Sequence, residues 1–298
     1  MSDLSDLFPG FATHWIDTEA GRIFVRSHGA GRPLLLLHGY PQSHVMWHKI
    51  APSLAEKFFV VLMDLRGYGW SSAPHSEEGA FYTKRLMAED AVTVMRALGH
   101  IRFSAVGHDR GARVAYRLAL DHPGRIDKLA LLDIIPTAAM WRGMDARTAM
   151  KAYHWMFLAQ PEPLPERLIA PSAVAFLEYT LKSWTAAGNL ESFDFRALAN
   201  YRASFNEPSR IHATCEDYRA GATFDRDNDE ADLAKGNRIT SPLCVLWGTR
   251  GIPARGIAPL EIWREWATQP QGMAIEGGHF LPEENPQATL AALLAFLQ

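Results

Sequence analysis

The sequence predicts an α/β protein with a doubly wound, mostly parallel sheet and an inserted group of helices. Two observations lead to this prediction: six short apolar runs alternate with segments of helical periodicity, and the alternation stops between about residues 136 and 226. The apolar runs are Pro33–Leu37, Phe58–Met63, Phe103–Val106, Lys128–Leu132, Leu243–Trp247 and Gly272–Ile275. The interrupted stretch has a helical pattern with many prolines and aromatic residues, which favours a helical cap inserted between two strands.

The clearest helix is the last one in the chain. Asn285 and Pro286 supply a cap and a first-turn proline. The leucines at positions 290, 293, 294 and 297 then follow at helical spacing. We therefore expect three segments, with a first part of the sheet core in 1–136, a helical cap in 137–225 and the second part of the core in 226–298.

Composition excludes several classes of protein. The 298 residues are 48% apolar and 21% charged, as in chains with a full-sized buried core, and the 30 basic and 33 acidic side chains leave a net charge of −3. This charge argues against a nucleic-acid partner, and no apolar stretch is long enough to predict a membrane partner. The N-terminus lacks the pattern of a signal peptide, and Cys215 and Cys244 lack the spacing of a disulfide framework or zinc site. We expect a cytoplasmic protein.

The pentapeptide Gly107–Gly111, GHDRG, is the most informative motif. It directly follows the strand pattern FSAV and precedes the helical pattern ARVAYRLAL. This context matches the strained G-x-nucleophile-x-G turn between a strand and a helix, with Asp109 in the nucleophile position. The alternative is an ordinary strand-to-helix turn in which Asp109 caps the helix.

Two further residues stand in the order nucleophile, acid, histidine. Asp133 ends the strand pattern LALLDII, and His279 follows the last strand in EGGHF. Another acid position is expected after the strand Leu243–Trp247, but the turn Gly248–Gly251 contains no carboxylate, which favours Asp133. Each residue alone could be a turn aspartate or a loop histidine. Together with Asp109 they predict the catalytic triad of an α/β-hydrolase fold.

The segment His38–Pro41 follows the first parallel strand, where this fold places part of its oxyanion hole. We expect the backbone amides of Tyr40 and Arg110 to be the two donors, and a tight structural turn is compatible with that role. His44 and His48 have the i, i+4 spacing of a metal pair. Because no third ligand is evident, we interpret them as a surface or packed histidine pair.

An aspartate at this turn restricts the chemistry. Attack by a carboxylate on an ester or amide would form a reactive anhydride, whereas attack on a saturated carbon with a leaving group forms an alkyl ester. Halides and epoxides are therefore the favoured substrates. His279, oriented by Asp133, would activate a water molecule to hydrolyse the Asp109 ester, and no metal or other cofactor is required.

Arg110 and Arg113 begin the helix after the turn and are three residues apart, so both can face the nucleophile. Two guanidinium groups would clamp a substrate carboxylate and keep Asp109 ionised. This pattern predicts a small-molecule haloacid as the substrate. In the alternative interpretation one of the two arginines pairs with a protein carboxylate instead, and Arg113 is the favoured one.

Over nearly the whole chain the sequence resembles the fluoroacetate (haloacetate) dehalogenases of the α/β-hydrolase superfamily. The motifs that carry the resemblance are HGYPQSHVMWH, GHDRGARVAYR, LLDIIPT, YHWM and EDYRAGA. It implies that Asp109 is the nucleophile and that His279 is the general base, with Asp133 as its partner. It also implies that Arg110 and Arg113 bind the substrate carboxylate. It also implies a homodimer. The family often has phenylalanine in place of Tyr40, a difference that leaves a backbone role intact.

The resemblance further implies that His154, Trp155 and Tyr218 bind the halide and that Trp184 lines the pocket. From composition alone, aromatic residues in a cap are more typical of a packing core, although imidazole, indole and phenol groups can each donate to a halide. Together these features predict hydrolysis of fluoroacetate or chloroacetate to glycolate and halide, with inversion at a chiral 2-haloacid.

Two alternatives remain open. One is an epoxide hydrolase that uses the same triad, with Tyr153 or Tyr218 protonating the opening oxygen. Related epoxide hydrolases and haloalkane dehalogenases commonly carry tryptophan where this chain has Arg110, which argues against that alternative. The other is a non-catalytic ligand receptor on a hydrolase scaffold.

Overall fold

A single eight-stranded sheet forms the centre of the computed structural model, which describes residues 4–251, 253 and 258–298. The strands are β1 (Ala12–Thr18), β2 (Gly21–His28), β3 (Arg32–Leu37), β4 (Phe58–Met63), β5 (Phe103–His108), β6 (Ile126–Leu132), β7 (Leu243–Gly248) and β8 (Pro270–Ile275). Their spatial order is β1-β2-β4-β3-β5-β6-β7-β8. The pairs β1–β2 and β2–β4 are antiparallel, and every other pair is parallel. The predicted mostly parallel sheet is confirmed.

Each of the six predicted apolar runs lies within one of the strands β3 to β8. The central strand β3 shows why: Leu34 to Leu37 are fully buried, and Leu36 pairs with Leu62 of β4 and Val106 of β5. The sequence analysis missed the antiparallel strands β1 and β2. β1 lies at the sheet edge and alternates exposed with half-buried residues, so it has no apolar run.

The helices are α1 (Ala51–Ala55), α2 (Lys84–Ala97), α3 (Asp109–Asp121), α4 (Thr137–Arg142), α5 (Ala146–Lys151), α6 (Tyr153–Leu158), α7 (Leu164–Ile169), α8 (Ala173–Trp184), α9 (Phe195–Phe205), α10 (Pro208–Ala222), α11 (Phe224–Lys235), α12 (Pro259–Trp266), α13 (Leu281–Glu284) and α14 (Pro286–Leu297). Helix α14 begins at the predicted proline, and the Asn285 side chain accepts from the Ala288 amide. The predicted last helix is therefore confirmed. No described helix has the length and apolar character needed to cross a membrane.

Helices α4 to α11 form the insertion between β6 and β7. The predicted division into 1–136, 137–225 and 226–298 stays a prediction, and its second boundary falls inside α11. Because α11 packs against α4 and α10, we propose that the cap ends after α11, before β7 begins. The cap lies in sequence directly after Asp133, so its helices can cover the residues at the end of β6.

The carboxyl ends of the parallel strands position the predicted chemistry. Asp109 directly follows β5, Asp133 directly follows β6, and His279 lies four residues after the end of β8. Parallel strands present these ends at one edge of the sheet, which is where open α/β sheets bind ligands. The fold therefore brings together three residues that are far apart in the chain.

Candidate active site

The turn at Asp109 holds this residue in a backbone conformation that is rare for a side chain other than glycine. Its φ angle is +48°, and α3 begins at this residue. The flanking glycines allow the turn to pack closely: a Cβ at Gly107 would lie 2.5 Å from the Ala112 Cα, and one at Gly111 would lie 2.2 Å from the His38 carbonyl oxygen. This geometry favours the predicted nucleophile turn over an ordinary helix cap.

The two carboxylate oxygens of Asp109 face different partners. Oδ1 accepts a hydrogen bond of 2.9 Å from the Tyr40 amide, and Oδ2 lies 3.7 Å from Nε2 of His279. Burial alone would raise the pKa of Asp109, but the charges of His279 and of Arg110 and Arg113 outweigh burial and lower it. The carboxylate is therefore ionised at neutral pH.

Asp133 orients the ring of His279. Nδ1 of His279 lies 2.6 Å from Oδ2 of Asp133, whose Oδ1 accepts from the Gly248 amide at 2.9 Å. A Cβ at Gly251 would lie 2.4 Å from Oδ1 of Asp133. The turn after β7 has no carboxylate to take the place of Asp133, and it packs closely against that residue. Burial alone would lower the pKa of His279, but the hydrogen bond to Asp133 and the charges of Asp133 and Asp109 raise it.

A cavity of about 350 Å³ opens onto these residues. Seven of the predicted site residues line it: Asp109, Arg113, Asp133, His154, Trp155, Trp184 and His279. Tyr40, Arg110 and Tyr218 are not among the residues that line the cavity, but each lies next to one that does. The ring centroid of Tyr218 is 5.5 Å from that of His154, and the Arg110 guanidinium lies 5.9 Å from the ring of Trp155.

The predicted halide-binding side chains form one aromatic cluster. Tyr218 packs edge-on against Trp155 and Tyr40, with ring centroids 6.1 and 5.3 Å apart, and His154 packs against Trp184 at 4.4 Å. Burial lowers the pKa of His154 to about 3 and raises the pKa of Tyr218, so both are neutral. The Tyr218 hydroxyl and Nδ1 of His154 are buried and have no hydrogen-bond partner among the described residues.

The structure corrects one expectation about the two arginines. Arg110, not Arg113, pairs with a protein carboxylate: its Nε and Nη2 donate to the two oxygens of Asp217 at 3.0 and 2.6 Å. The reason is that α10 of the cap brings Asp217 against the first turn of α3. Nη1 of Arg110 has no hydrogen-bond partner in the part of the chain that the structure describes, so one donor is left for a ligand.

Arg113 has no carboxylate partner among the described residues. Its Nη1 donates to the Ile135 carbonyl and the Thr137 hydroxyl, and its guanidinium lies 4.6 Å from the ring of Trp155. Nε has no hydrogen-bond partner within the described ranges. Burial, with the Arg110 charge as a smaller cause, lowers the pKa of Arg113. A buried cation of this kind favours an anionic ligand in the cavity that it lines.

Asp217 is a residue of the candidate site that the sequence analysis missed. It also accepts from Tyr68 at 2.6 Å and from the ammonium group of Lys84, which lies 3.3 Å from Asp225. Asp217 is in the motif EDYRAGA, but a motif does not show which distant cation its carboxylate meets. The spacing of 107 residues between Arg110 and Asp217 left no local signal.

The two residues of the histidine pair, His44 and His48, bond to separate partners. Nδ1 of His44 lies 2.9 Å from the Asp64 carboxylate, and Nδ1 of His48 lies 3.0 Å from the Val45 carbonyl oxygen. One other group could approach a cation among residues that the structure describes: His75, Glu162 and His212 have ligand atoms within 4.8 Å of one another. None of these three lines the cavity.

Known proteins share this fold and much of this sequence. Residues 32–286 match the family described as alpha/beta hydrolase fold. The chain belongs to the α/β-hydrolase fold family. This hydrolase is 40% identical over 292 residues to a fluoroacetate dehalogenase from a Burkholderia species, in an alignment that covers 98% of this chain and 95% of that protein. It is 33% identical to a soluble epoxide hydrolase from Corynebacterium sp. (strain C12), covering 90% and 91% of the two chains.

A solved structure agrees with this assignment. A crystal structure from Nostoc sp. PCC 7120, described as an alpha/beta hydrolase, is 51% identical and superposes with a TM-score of 0.94 over 97% of this chain and 98% of the other. The predicted fold class is confirmed, as is the resemblance: the chain is a fluoroacetate dehalogenase-like α/β hydrolase. The roles of the individual site residues stay predictions.

The nucleophile turn leads to a stability prediction. Gly111→Ala places a Cβ 2.2 Å from the His38 oxygen and 2.4 Å from the Leu37 oxygen, and neither backbone atom can move without disturbing β3. We expect a loss of about 1–3 kcal/mol in the free energy of unfolding, measured by urea denaturation. Gly143→Ala is the control, because its nearest neighbour is the Ala139 oxygen at 3.3 Å, and it should cost less than about 0.5 kcal/mol. Equal unfolding midpoints for the two variants would contradict the packing argument.

Proposed function

We propose that the chain hydrolyses the carbon–halide bond of haloacetates such as fluoroacetate and chloroacetate, giving glycolate and halide. One observation carries the proposal: the buried cation of Arg113, which has no carboxylate partner among the described residues, lines the same cavity as the ionised Asp109. A neutral epoxide or haloalkane would leave the Arg113 guanidinium without a hydrogen-bonded anion, whereas a 2-haloacid brings its own carboxylate. The identity to the Burkholderia fluoroacetate dehalogenase supports the same assignment.

In the first step Asp109 displaces the halide. Arg113 and the free Nη1 of Arg110 hold the substrate carboxylate, and Oδ2 of Asp109 attacks the adjacent carbon from the side opposite the halogen. A carbon–oxygen ester bond forms, and the carbon–halogen bond breaks with both electrons leaving on the halide. A single backside displacement inverts a chiral carbon. The buried donors of His154, Trp155 and Tyr218 stabilise the departing halide, and fluoride gains most because it is a strong acceptor.

In the second step water cleaves the ester. His279 takes a proton from the water, whose oxygen attacks Cγ of Asp109, and the negative charge develops on Oδ1 beside the Tyr40 amide. The bond between Cγ and Oδ2 then breaks, and the proton left on the oxygen that came from water passes to the leaving oxygen, which gives glycolate and the Asp109 carboxylate. The proton on His279 passes to solvent. Esterification removes the charge of Asp109, one of the causes that raise the pKa of His279, so the ester intermediate favours the neutral imidazole that acts as a base. The Arg110 amide is the proposed second donor to Oδ1.

Hydrolysis of an epoxide is the second candidate. The Corynebacterium relative named as an epoxide hydrolase supports it, and the phenol of Tyr153 lines the cavity, where it could protonate an opening epoxide oxygen. The halide test below distinguishes the two candidates. A homodimer and a cytoplasmic location also stay predictions.

Halide release tests the proposed reaction directly. Purified protein is incubated separately with fluoroacetate and chloroacetate, and fluoride and chloride are measured with ion-selective electrodes. We expect both ions, and a loss of about 10⁴-fold or more in Asp109→Asn, because an amide cannot form the ester. Chloride alone would retain the mechanism but show that the halide pocket does not activate a C–F bond. Neither ion, together with hydrolysis of a simple epoxide, would replace the proposal with the second candidate.

Removal of His279 should trap the ester. In His279→Gln the first step needs no base, so we expect one carboxymethyl group to remain on Asp109 after incubation with chloroacetate, detected by intact mass and peptide mapping. The double variant Asp109→Asn/His279→Gln is the control and should remain unmodified. A ligand that binds tightly without any covalent adduct would instead indicate a receptor.

The two arginines should respond differently to substitution. Arg113→Gln removes the cation that has no carboxylate partner in the described part of the chain, so we expect the KM for chloroacetate to rise about tenfold to 100-fold with little change in stability. Arg110→Gln also leaves Asp217 without its main partner, so it should lower the free energy of unfolding by about 3–5 kcal/mol. Steady-state kinetics and urea unfolding of both variants measure the difference. An unchanged KM in Arg113→Gln would refute its role as the carboxylate ligand.

A further inference from the structure

The backbone amide and carbonyl of His279 are both hydrogen-bonded. The His279 amide donates to the Trp184 carbonyl at 2.9 Å, and its own carbonyl oxygen lies 2.8 Å from Nε2 of His108. Burial lowers the pKa of His108 to about 3, so this ring is neutral and donates to the carbonyl through Nε2–H. The loop that carries His279 is therefore hydrogen-bonded to His108, the residue before Asp109, and to Trp184 of the cap.

Glu284 completes this arrangement. Its Oε1 accepts from the Phe280 amide at 2.9 Å, and its Oε2 accepts from the amides of Gly278 and Ala186 at 3.0 and 2.7 Å. Two of these donors flank His279, and the third belongs to the cap segment that follows Trp184. The Glu284 carboxylate thus accepts hydrogen bonds from the residues on both sides of His279 and from the cap segment beside them.

Helix α13 and Gly278 allow Glu284 to reach these three amides. Helix α13 ends at Glu284, five residues after His279, so the carboxylate folds back onto its own loop. A Cβ at Gly278 would lie 2.5 Å from both the Ala186 nitrogen and the Trp184 oxygen, so only glycine lets the cap segment approach so closely. Only a carboxylate accepts from three N–H groups without presenting a donor to any of them.

We propose that Glu284 is a positioning residue, which holds His279 in the geometry that hydrolyses the aspartyl ester and couples the base to the cap at Trp184 and Ala186. The inference rests on the proposed function, because it assumes that His279 acts in the second step. Glu284 does not line the cavity and has no hydrogen bond to Asp109, so it acts through the segments that it holds, the loop of His279 and the chain at Ala186. Its loss should therefore slow ester hydrolysis and spare ester formation.

The charge of Glu284 adds a second consequence. It is one of the groups that raise the pKa of His279, and removal of that charge should lower this pKa. Hydrolysis fails as pH falls and His279 becomes protonated, so the acid limb of the pH–kcat profile should move to lower pH. The other titratable groups that act on His279 are Asp133, Asp109, His108 and His154, and all of them remain in the variant.

Glu284→Gln tests the proposal, with Glu283→Gln as the matched control. The adjacent Glu283 accepts from the Tyr201 hydroxyl and lies 3.5 Å from the Lys49 ammonium group, away from the backbone on either side of His279. In Glu284→Gln we expect kcat for chloroacetate to fall about tenfold to 100-fold, the carboxymethyl ester to accumulate on Asp109 during turnover, and the acid limb to shift downward. Glu283→Gln should show no ester and an unshifted limb.

The outcomes separate this inference from the proposed function. If the wild-type chain releases no halide, the proposed function fails whatever Glu284 does. If the wild-type chain is active and Glu284→Gln turns over without ester accumulation, the positioning role is wrong. If Glu284→Gln unfolds, Glu284→Asp keeps the charge but is one methylene shorter. It should accumulate ester with an unshifted acid limb, and turnover like that of the wild type would equally overturn the proposal.

Discussion

The left-handed backbone at Asp109 is the constraint on which the rest of the site depends. A φ of +48° turns the chain sharply from β5 into α3 and lifts the carboxylate above the strand ends. The same turn leaves the α3 N-terminus beside a negative charge, where the helix dipole favours it. This conformation costs about 1–2 kcal/mol for a non-glycine residue, and the close contacts of Gly107 and Gly111 with neighbouring backbone maintain it. Asp133, with a φ of +54°, follows the next strand in a similar conformation.

Charge balance explains why two arginines three residues apart have unequal roles. Asp217 neutralises Arg110 and, with Asp225, also surrounds Lys84, so this network has no net charge to offer a ligand. Arg113 has only neutral acceptors and an aromatic ring as partners among the described residues. In the proposed reaction Arg113 therefore supplies the countercharge for the substrate carboxylate, while Arg110 supplies a directed hydrogen bond from a side chain that cannot rotate.

The sequence predicted those parts of the structure that depend on local patterns. Strands β3 to β8, the order of Asp109, Asp133 and His279, and the capped last helix all follow from periodicity or short motifs. Strands β1 and β2 were missed because an edge hairpin has no buried apolar run. The Arg110–Asp217 pair joins residues 107 positions apart, and the contact of Glu284 with Ala186 joins residues 98 positions apart. Such pairings depend on how the cap lies on the core, which no short motif specifies.

Helix α10 of the cap positions side chains that are proposed to bind both ends of the substrate. Asp217 holds Arg110, and the next residue, Tyr218, places its ring 4.4 Å from the same guanidinium and belongs to the proposed halide-binding cluster. Consecutive residues on one helix turn therefore set the distance between the carboxylate ligand and the halide donors. The reacting carbon must lie between them, facing Asp109. This spacing favours a halogen on the carbon adjacent to the carboxylate, because each added methylene would move the leaving group away from donors that the helix keeps in place.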